Sequence, residues 1–515
     1  MKNDFFEAFK YKVKTLDSLI KIKKQNKNKK IILCHGVFDV VHPGHIRHFI
    51  YAKSKGDILV TSLTSDKFIN KGIYRPHVPH KLRALNLAAL EMIDYVIIDN
   101  EKKPIKLLKK LKPDFFAKGY EYNENLNPET KEEMKIIKSF KGEMIFTPGD
   151  VIFSSSKIIN TNNLKIDQEK LIFLIKNNKI KISNLLKIIK KFKKIKVHII
   201  GDTIVDTYTN SKFIVGQTKT PTFSVLYQNE KNYIGGAAIV AMHLRYAGAN
   251  VTFSTMLGND KLNKFITSNL KKNGVKLNIV LDKNRPTTNK NLIMSEGYRL
   301  LKVDKLDNTP IKNEQVEKFK FFIKNNKNDI LMLSDFRHGI FTNSNIDSII
   351  KSIPKKSLKV ADSQVASRWG NISLFKNFDL ITPNEREARF ALADQDSSVG
   401  SLSDQLYKKT NCKNLILKLG DKGVFCSTFK YTKNKDNYFS LNSFLENNKL
   451  IDAVGAGDAL LAYSSLTLKV SNCLISSAII GSIAASCACE VEGNKPIDPK
   501  MVSNKILELK KSLNL

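Results

Sequence analysis

The sequence predicts an α/β protein built from two units, each a largely parallel sheet covered by helices. Three observations lead there. Short apolar runs alternate with longer helical stretches along most of the chain, the pattern of strands joined by crossover helices. A length of 515 residues exceeds what one hydrophobic core organises. Two glycine-containing turns, one after Leu33-Cys34-His35 and one at Gly455-Ala456-Gly457, each stand where an extended segment gives way to a helix.

The elements follow in order. Residues 1–28 are lysine-rich and are expected to be helical or loosely attached. Apolar runs at Ile31–Leu33, Ile58–Leu63, Tyr95–Ile98, Phe115–Ala117 and Glu143–Phe146 read as strands of a small doubly wound sheet of Rossmann-like type. This domain is expected to span 29–162. Residues 163–195 place Leu171, Leu174, Ile175, Leu185, Ile188 and Ile189 at helical spacing among many lysines, which predicts a helical connector offering a contact for a homo-oligomer. A second α/β domain, 196–515, opens on the strand Lys196–Gly201. A strand-rich insertion around 212–234 is expected to form a small lid.

Composition narrows the function. Lys and Arg number 85 against 49 Asp and Glu, a formal charge of +36, which invites a nucleic-acid reading. Three observations weaken it. Only ten of the basic residues are Arg, the side chain suited to phosphate and base recognition. Lysine is scattered along the chain in company with Asn and Ile, and the dense run from Lys21 to Lys30 has no interleaved aromatics to stack on bases. The charge reads as a solvated surface, with weak salt-sensitive adhesion to polyanions and no specific nucleic-acid partner. No apolar run approaches the roughly 18–20 residues that span a bilayer. The first residues lack the apolar core of a signal peptide, so no membrane partner and a cytoplasmic location are expected. The six cysteines show neither CxxC nor Cys/His zinc spacing, and buried free thiols are the expected state.

The first chemical signal is His35-Gly36-Val37-Phe38-Asp39-Val40-Val41-His42-Pro43-Gly44-His45. Two imidazoles one helical turn apart can face a triphosphate held at a helix N-terminus, where free N–H groups and the helix dipole attract anions. Such an arrangement stabilises charge during attack on an α-phosphorus without a covalent nucleophile. The GxFDxxHxGH string resembles the nucleotidyltransferases of the cytidylyltransferase-like superfamily. Further pieces fall in order: Lys71-Gly72-Ile73-Tyr74-Arg75-Pro76, Arg83 on a following helix, Lys118-Gly119-Tyr120-Glu121-Tyr122 and Ser154-Ser155-Ser156-Lys157. Over about residues 29–160 they are similar to the adenylyltransferase half of bifunctional heptose-phosphate kinase/adenylyltransferases. The resemblance implies that His42 and His45 contact the phosphates and transition state, with Lys71 counted among the catalytic residues. Gly36, Phe38 and Asp39 lie in the nucleotide-binding string, Asp39 ordering the turn rather than moving a proton. Arg75 neutralises phosphate, Lys118 holds the acceptor or the pyrophosphate, and Ser155 and Ser156 bind phosphate. Tyr120-Glu121 departs from the family's usual Gly-Asp.

The second signal is Asp452-Ala453-Val454-Gly455-Ala456-Gly457-Asp458. A glycine-rich turn at a helix start aims backbone N–H groups at a migrating phosphoryl group, and a carboxylate beside it can take a proton from a sugar hydroxyl. With Gly235-Gly236-Ala237-Ala238, Asn384-Glu385-Arg386-Glu387 and Leu419-Gly420-Asp421-Lys422-Gly423, it resembles the ribokinase-like (PfkB) sugar kinases over about residues 196–500. The resemblance implies that Asp458 is the catalytic base and that Gly455, Ala456 and Gly457 form the anion hole. Asn384 and Glu387 then organise Mg²⁺ and phosphate, Glu387 as the metal residue, while Gly420 and Gly423 lie against the nucleotide. Asp206, Gly235 and Gly236 bind the sugar. Three positions depart from the family: Ile239 for Asn, Val454 for Thr, and Lys418 for Thr.

Together the two resemblances imply a bifunctional enzyme with the transferase first. It would use ATP as substrate, with Mg²⁺, to make an ADP-heptose-type precursor of surface polysaccharide from small sugar phosphates. Two rival readings remain open: CDP-activated polyol or sugar synthesis, and one active domain beside a ligand-binding regulatory module.

Overall fold

The computed structural model describes residues 8–69, 75–119, 128–147, 164–214, 224–364, 372–429, 437–445 and 449–513. They fall into two compact units, Met1–Asn177 with Asp396–Ser401, and Asn178–Gln395 with Leu402–Leu515.

The first unit is a parallel five-stranded sheet of β1 (Ile31–Gly36), β2 (Ile58–Thr64), β3 (Tyr95–Asp99), β4 (Phe115–Gly119) and β5 (Glu143–Thr147), in the order β3-β2-β1-β4-β5. Alternation along β1 explains why both faces are covered. Ile32 and Cys34 join Phe49, Ala52, Ala84 and Leu87 from helices Pro43–Lys53 and His80–Ala88. Ile31 and Leu33 point the other way and join Leu19, Leu107, Leu108, Leu111 and Ile137, from helices Leu16–Gln25, Ile105–Leu111 and Pro128–Ser139. All five expected strands form, and each runs further at its carboxyl end than its apolar run. The N-terminal lysine-rich segment is docked from Val13 onward: Val13 bridges Val96, Lys12 donates to the Ile93 carbonyl at 2.8 Å, and Leu19 is buried.

The expected connector is two helices, Leu164–Asn177 in the first unit and Ile182–Lys191 in the second. The apolar stripe of the latter, Ile182, Leu185 and Ile189, is buried.

The second unit holds a nine-stranded sheet in the order β10-β9-β6-β13-β14-β15-β16-β17-β18. Its strands are β6 (Lys196–Gly201), β9 (Asn250–Gly258), β10 (Lys276–Asp282), β13 (Ile330–Asp335), β14 (Leu358–Ser363), β15 (Leu380–Ile381), β16 (Asn414–Lys418), β17 (Val424–Thr428) and β18 (Tyr438–Leu441). All pairs are parallel except β16·β17 and β17·β18. A separate four-stranded sheet orders β12-β11-β7-β8, from β7 (Thr203–Phe213), β8 (Val225–Gly236), β11 (Asn289–Ser295) and β12 (Tyr298–Lys305). This lid is larger than the insertion expected at 212–234. Its β11–β12 hairpin turns at Glu296 and Gly297, both at positive φ, and β12 is exposed along its whole length, so no burial pattern announced it. Helices Ala456–Ser471 and Leu474–Cys489 pack closely where Gly481 meets Ser464. All six cysteines are free thiols, and among the described residues no helix is long and apolar enough to cross a membrane.

Phe116, the second residue of β4, is fully buried. Phe116→Ala is expected to cost about 3–5 kcal/mol, read as a lowered urea midpoint for the first unit.

Candidate active sites

In a doubly wound sheet, ligands gather beyond the carboxyl ends of the strands where the strand order reverses. In the first unit that point lies between β1 and β4. The residues following β1 are those of the histidine string, and Lys118 is the penultimate residue of β4.

His42 is the N-cap of helix Pro43–Lys53, with Pro43 in the first turn. Its Nδ1 accepts a hydrogen bond from the Gly44 N–H at 3.1 Å. That bond requires an unprotonated Nδ1, so the neutral ring carries its proton on Nε2, and burial lowers its pKa in the same direction. A Cβ on residue 44 would come within 2.9 Å of the His42 ring, so glycine here lets the imidazole fold over the helix start. The His45 ring stacks on His42 with centroids 3.8 Å apart and an interplanar angle of 28°. Phe38, at positive φ, meets His45 edge-on and also packs on Phe49. The two imidazoles are thus held side by side at a helix N-terminus.

Asp39 is buried, and its two oxygens accept from the backbone N–H groups of His77 (3.0 Å) and Val78 (2.9 Å). It orders the turn and ties down the segment opened by Arg75. Gly36 ends β1 just before this turn. Lys118 is held by Thr130 at 3.0 Å and by a close ion pair with Glu133. Lys71, Ser155 and Ser156 lie outside the described residues, as do Tyr120 and Glu121.

Sequence reasoning noted Arg83 without seeing its part. Fully buried, it donates to the carbonyls of Val37, Val78 and Thr64 and pairs with Asp66 at 2.5 Å. Asp66 also accepts from His80 at 2.9 Å. Burial alone would raise the Asp66 pKa, but His80 and Arg83 outweigh it and hold the carboxyl below its usual range. A lone Arg in an apolar helical stretch was the available signal.

In the second unit the strand order reverses between β6 and β13. There Asp202 accepts from the N–H groups of Phe336 (2.9 Å) and His338 (3.2 Å). On the lid, Asp206 lies so close to Gly235 that a Cβ there would sit 2.3 Å from Oδ2. Gly236 caps the helix Ala237–Tyr246, in which Ile239 is buried core. Gly455, at φ 82°, caps helix Ala456–Ser471, with Ala456 and Gly457 as its first two residues and Asp458 its third. Asp458 is buried, and its Oδ1 has no hydrogen-bond partner. Burial pushes its carboxyl up to about 7, Lys418 pulls it down, and Asp362 and Asp206 push it up. The charge of Asp206 is thus felt at Asp458.

Asn384 and Glu387 form a reciprocal cap of helix Glu385–Leu392: Glu387 N–H donates to Asn384 Oδ1 at 2.8 Å, and Asn384 N–H to Glu387 Oε2 at 2.6 Å. Glu387 is buried beside Lys418, Asp362 and Asp458, and burial raises its pKa. Gly420 and Gly423 bound the short turn after β16, both at positive φ. Lys418 and Asp362, bonded at 3.1 Å, enter this cluster without having been singled out as site residues.

A family model described as "pfkB family carbohydrate kinase" matches residues 194–501, and one described as "Cytidylyltransferase-like" matches residues 33–235. The former spans more than half of the chain, which therefore belongs to the pfkB family of carbohydrate kinases, with a cytidylyltransferase-like nucleotidyltransferase domain ahead of the kinase domain. The sheet of the first unit is complete by Thr147, so the end of the second match runs into strands of the other unit. Curated relatives include "Bifunctional protein HldE" of Helicobacter pylori, 40% identical over 135 residues, or 25% of this chain and 29% of that protein. The protein of the same name from Campylobacter jejuni is 42% identical over 120 residues, 23% of this chain and 26% of that one. The chain thus spans less than a third of the length of the curated relatives it matches. Among solved structures, phosphofructokinase-2 from Escherichia coli, in complex with substrates and products, aligns with a TM-score of 0.51 at 16% identity. It covers 61% of this chain and 100% of that one, which shows a shared fold.

Arg83→Ala strands Asp66 in the interior and is expected to cost about 3–5 kcal/mol. Because the folded Asp66 pKa is depressed, its contribution is present above the usual carboxylate value of about 3.9 and is lost as pH falls through the folded value. Urea midpoints from pH 7 down to pH 3 should show that acid loss in the parent protein.

Proposed function

We propose that the chain makes a nucleotide-activated sugar in two steps, with an ADP-heptose-type product. The kinase domain phosphorylates a heptose phosphate from ATP, and the first domain transfers a nucleotidyl group to the resulting sugar 1-phosphate. The observation that supports this most is the presence in one chain of two helix N-termini, the kind of position that attracts phosphate. One carries stacked imidazoles, and the other a buried carboxylate with an unpartnered oxygen. The names of the partial relatives fit the pairing. Domain limits of 29–162 and 196–515, joined by 163–195, go with this reading, as does a cytoplasmic location for a protein with six free thiols.

In the kinase step Asp458 takes the proton of the acceptor hydroxyl as its oxygen attacks the γ-phosphorus. Backbone N–H groups at Gly455, Ala456 and Gly457 receive the developing charge. Asp206 orients the sugar, with Gly235 and Gly236 giving it room. On the lid, Lys290 stands in register between Asp206 and Asp304, and Lys302 lies on the same strand as Asp304, two residues before it. Burial lowers the Lys290 pKa and Lys302 lowers it further, an environment improved by an anionic acceptor. Gly420 and Gly423 leave backbone free to approach the nucleotide, beside Asn384. Among the described residues no group of three acids, His or Cys is placed to hold a metal ion directly. The residues would fit Mg²⁺ carried on the ATP phosphates, where it would supply charge neutralisation, and Glu387 is the residue that would help to hold it.

In the transferase step Nε2 of His42 donates to the nucleotide phosphates, and His45 braces it and shares the charge. Gly36 and Phe38 shape the loop beneath, and Asp39 fixes it. Arg75 and Lys71 neutralise phosphate, Lys118 holds the acceptor or pyrophosphate, and Ser155 and Ser156 bind phosphate.

Asp458→Asn is expected to cut sugar phosphorylation by about 10²–10⁴-fold. In the parent protein kcat/KM should rise with pH through about 7, since the base works only when ionised and its pKa is raised to that value. His45→Ala should abolish nucleotidyl transfer and leave sugar-dependent ADP formation intact. Pyrophosphate release with each NTP and a heptose 1-phosphate should single out ATP, and a preference for CTP would sink the ADP-sugar assignment.

A further inference from the structure

Lys418 is a position where this chain departs from the kinase pattern, and the fold puts it at the centre of the charge cluster. It is the last residue of β16, with a side chain only 13% exposed. Its Nζ lies 3.1 and 3.3 Å from the two oxygens of Asp362, near the end of β14. The stem runs along the open face of Gly457: a Cβ built there would sit 3.5 Å from Nζ, 3.8 Å from Cδ and 4.0 Å from Cε. The ammonium therefore faces the first turn of helix Ala456–Ser471, close enough for its charge to act on Asp458, whose Oδ1 has no hydrogen-bond partner. An ammonium has three N–H donors, and one carboxylate cannot satisfy all of them.

Resting on the reading of the Asp458 cleft as a kinase site, we propose that Lys418 is a catalytic residue that donates a hydrogen bond to the phosphoryl group in flight. Asp362 holds the ammonium from behind, so its position is set before substrate arrives. As the acceptor oxygen forms its bond to phosphorus, its proton passes to Asp458. The bond from phosphorus to the bridging oxygen breaks, and ADP leaves with that electron pair. Lys418 stays protonated throughout and matches the charge on the equatorial oxygens. Beside Asp362, Glu387 and Asp458 it brings a positive charge, so the site can accept an anion without removing an acid.

The rival role is charge balance for Asp362 alone. K418M, K418R and the double variant D362N/K418M separate the two. If Lys418 contacts the phosphoryl group, K418M should lower phosphorylation of a heptose phosphate by at least about 10²-fold in kcat, with the acceptor KM within about threefold. By calorimetry ATP affinity should fall about tenfold or more while ADP affinity stays within about twofold, the scale of one charged hydrogen bond. The nucleotidyltransferase site is common to all variants and cancels in the comparison. K418R should recover at least about tenfold of the lost rate through its retained charge. D362N/K418M removes the buried pair together and keeps the test alive if K418M fails to fold. It should still lack the ATP-over-ADP preference. Equal changes in ATP and ADP affinity, or recovery of that preference in the double variant, would overturn the assignment. If the parent protein phosphorylates no sugar or sugar phosphate, the kinase reading fails, and the ATP and ADP affinities still decide the role of Lys418.

Discussion

Parallel strands deliver all their carboxyl ends to one edge of a sheet, and both units depend on that constraint. A chain that winds outward in one direction and then returns leaves a gap in the loops at the reversal. Between β1 and β4 the gap receives the histidine string and Lys118; between β6 and β13 it receives Asp202 and the turn at Phe336–His338. Neither site needs a long loop of its own. Backbone N–H groups and helix starts are already there, and a few side chains convert them to phosphate chemistry.

Those side chains are fixed by burial more than by contact with solvent-exposed partners. Asp39 spends both oxygens on backbone, Arg83 spends its guanidinium on three carbonyls and Asp66, and Glu387 is locked into a helix cap. A chain of formal charge +36 places Asp206, Asp362, Glu387 and Lys418 around the buried Asp458. The surface charge can draw in anionic substrates from a distance, while burial, more than the neighbouring acids, raises the Asp458 pKa against the pull of Lys418.

Much of this was legible in the sequence. Apolar runs located every strand of the first sheet, and the two glycine turns located both helix N-termini. The carboxyl ends of the strands were not legible, because Gly36, Thr64, Asp99, Gly119 and Thr147 are not apolar and read as loop. The β11–β12 hairpin was missed because a strand exposed on every residue, Tyr298–Lys305, carries no alternation. Arg83 and Lys418 escaped for another reason. An ionisable residue in an apolar segment has meaning only with its partner, and Asp66 and Asp362 lie far from them along the chain. Lys71, Ser155 and Ser156 fall outside the described residues, so the sequence remains the sole guide to them.

The reciprocal cap at Asn384 and Glu387 has an evolutionary consequence. One carboxylate both caps a helix and lies in the charge cluster with Lys418, Asp362 and Asp458, so drift at position 387 is filtered twice. Glutamine can serve as the cap partner but brings no charge, and aspartate brings the charge on a shorter arm. Variation at this position should therefore disturb the charge cluster before it disturbs the fold.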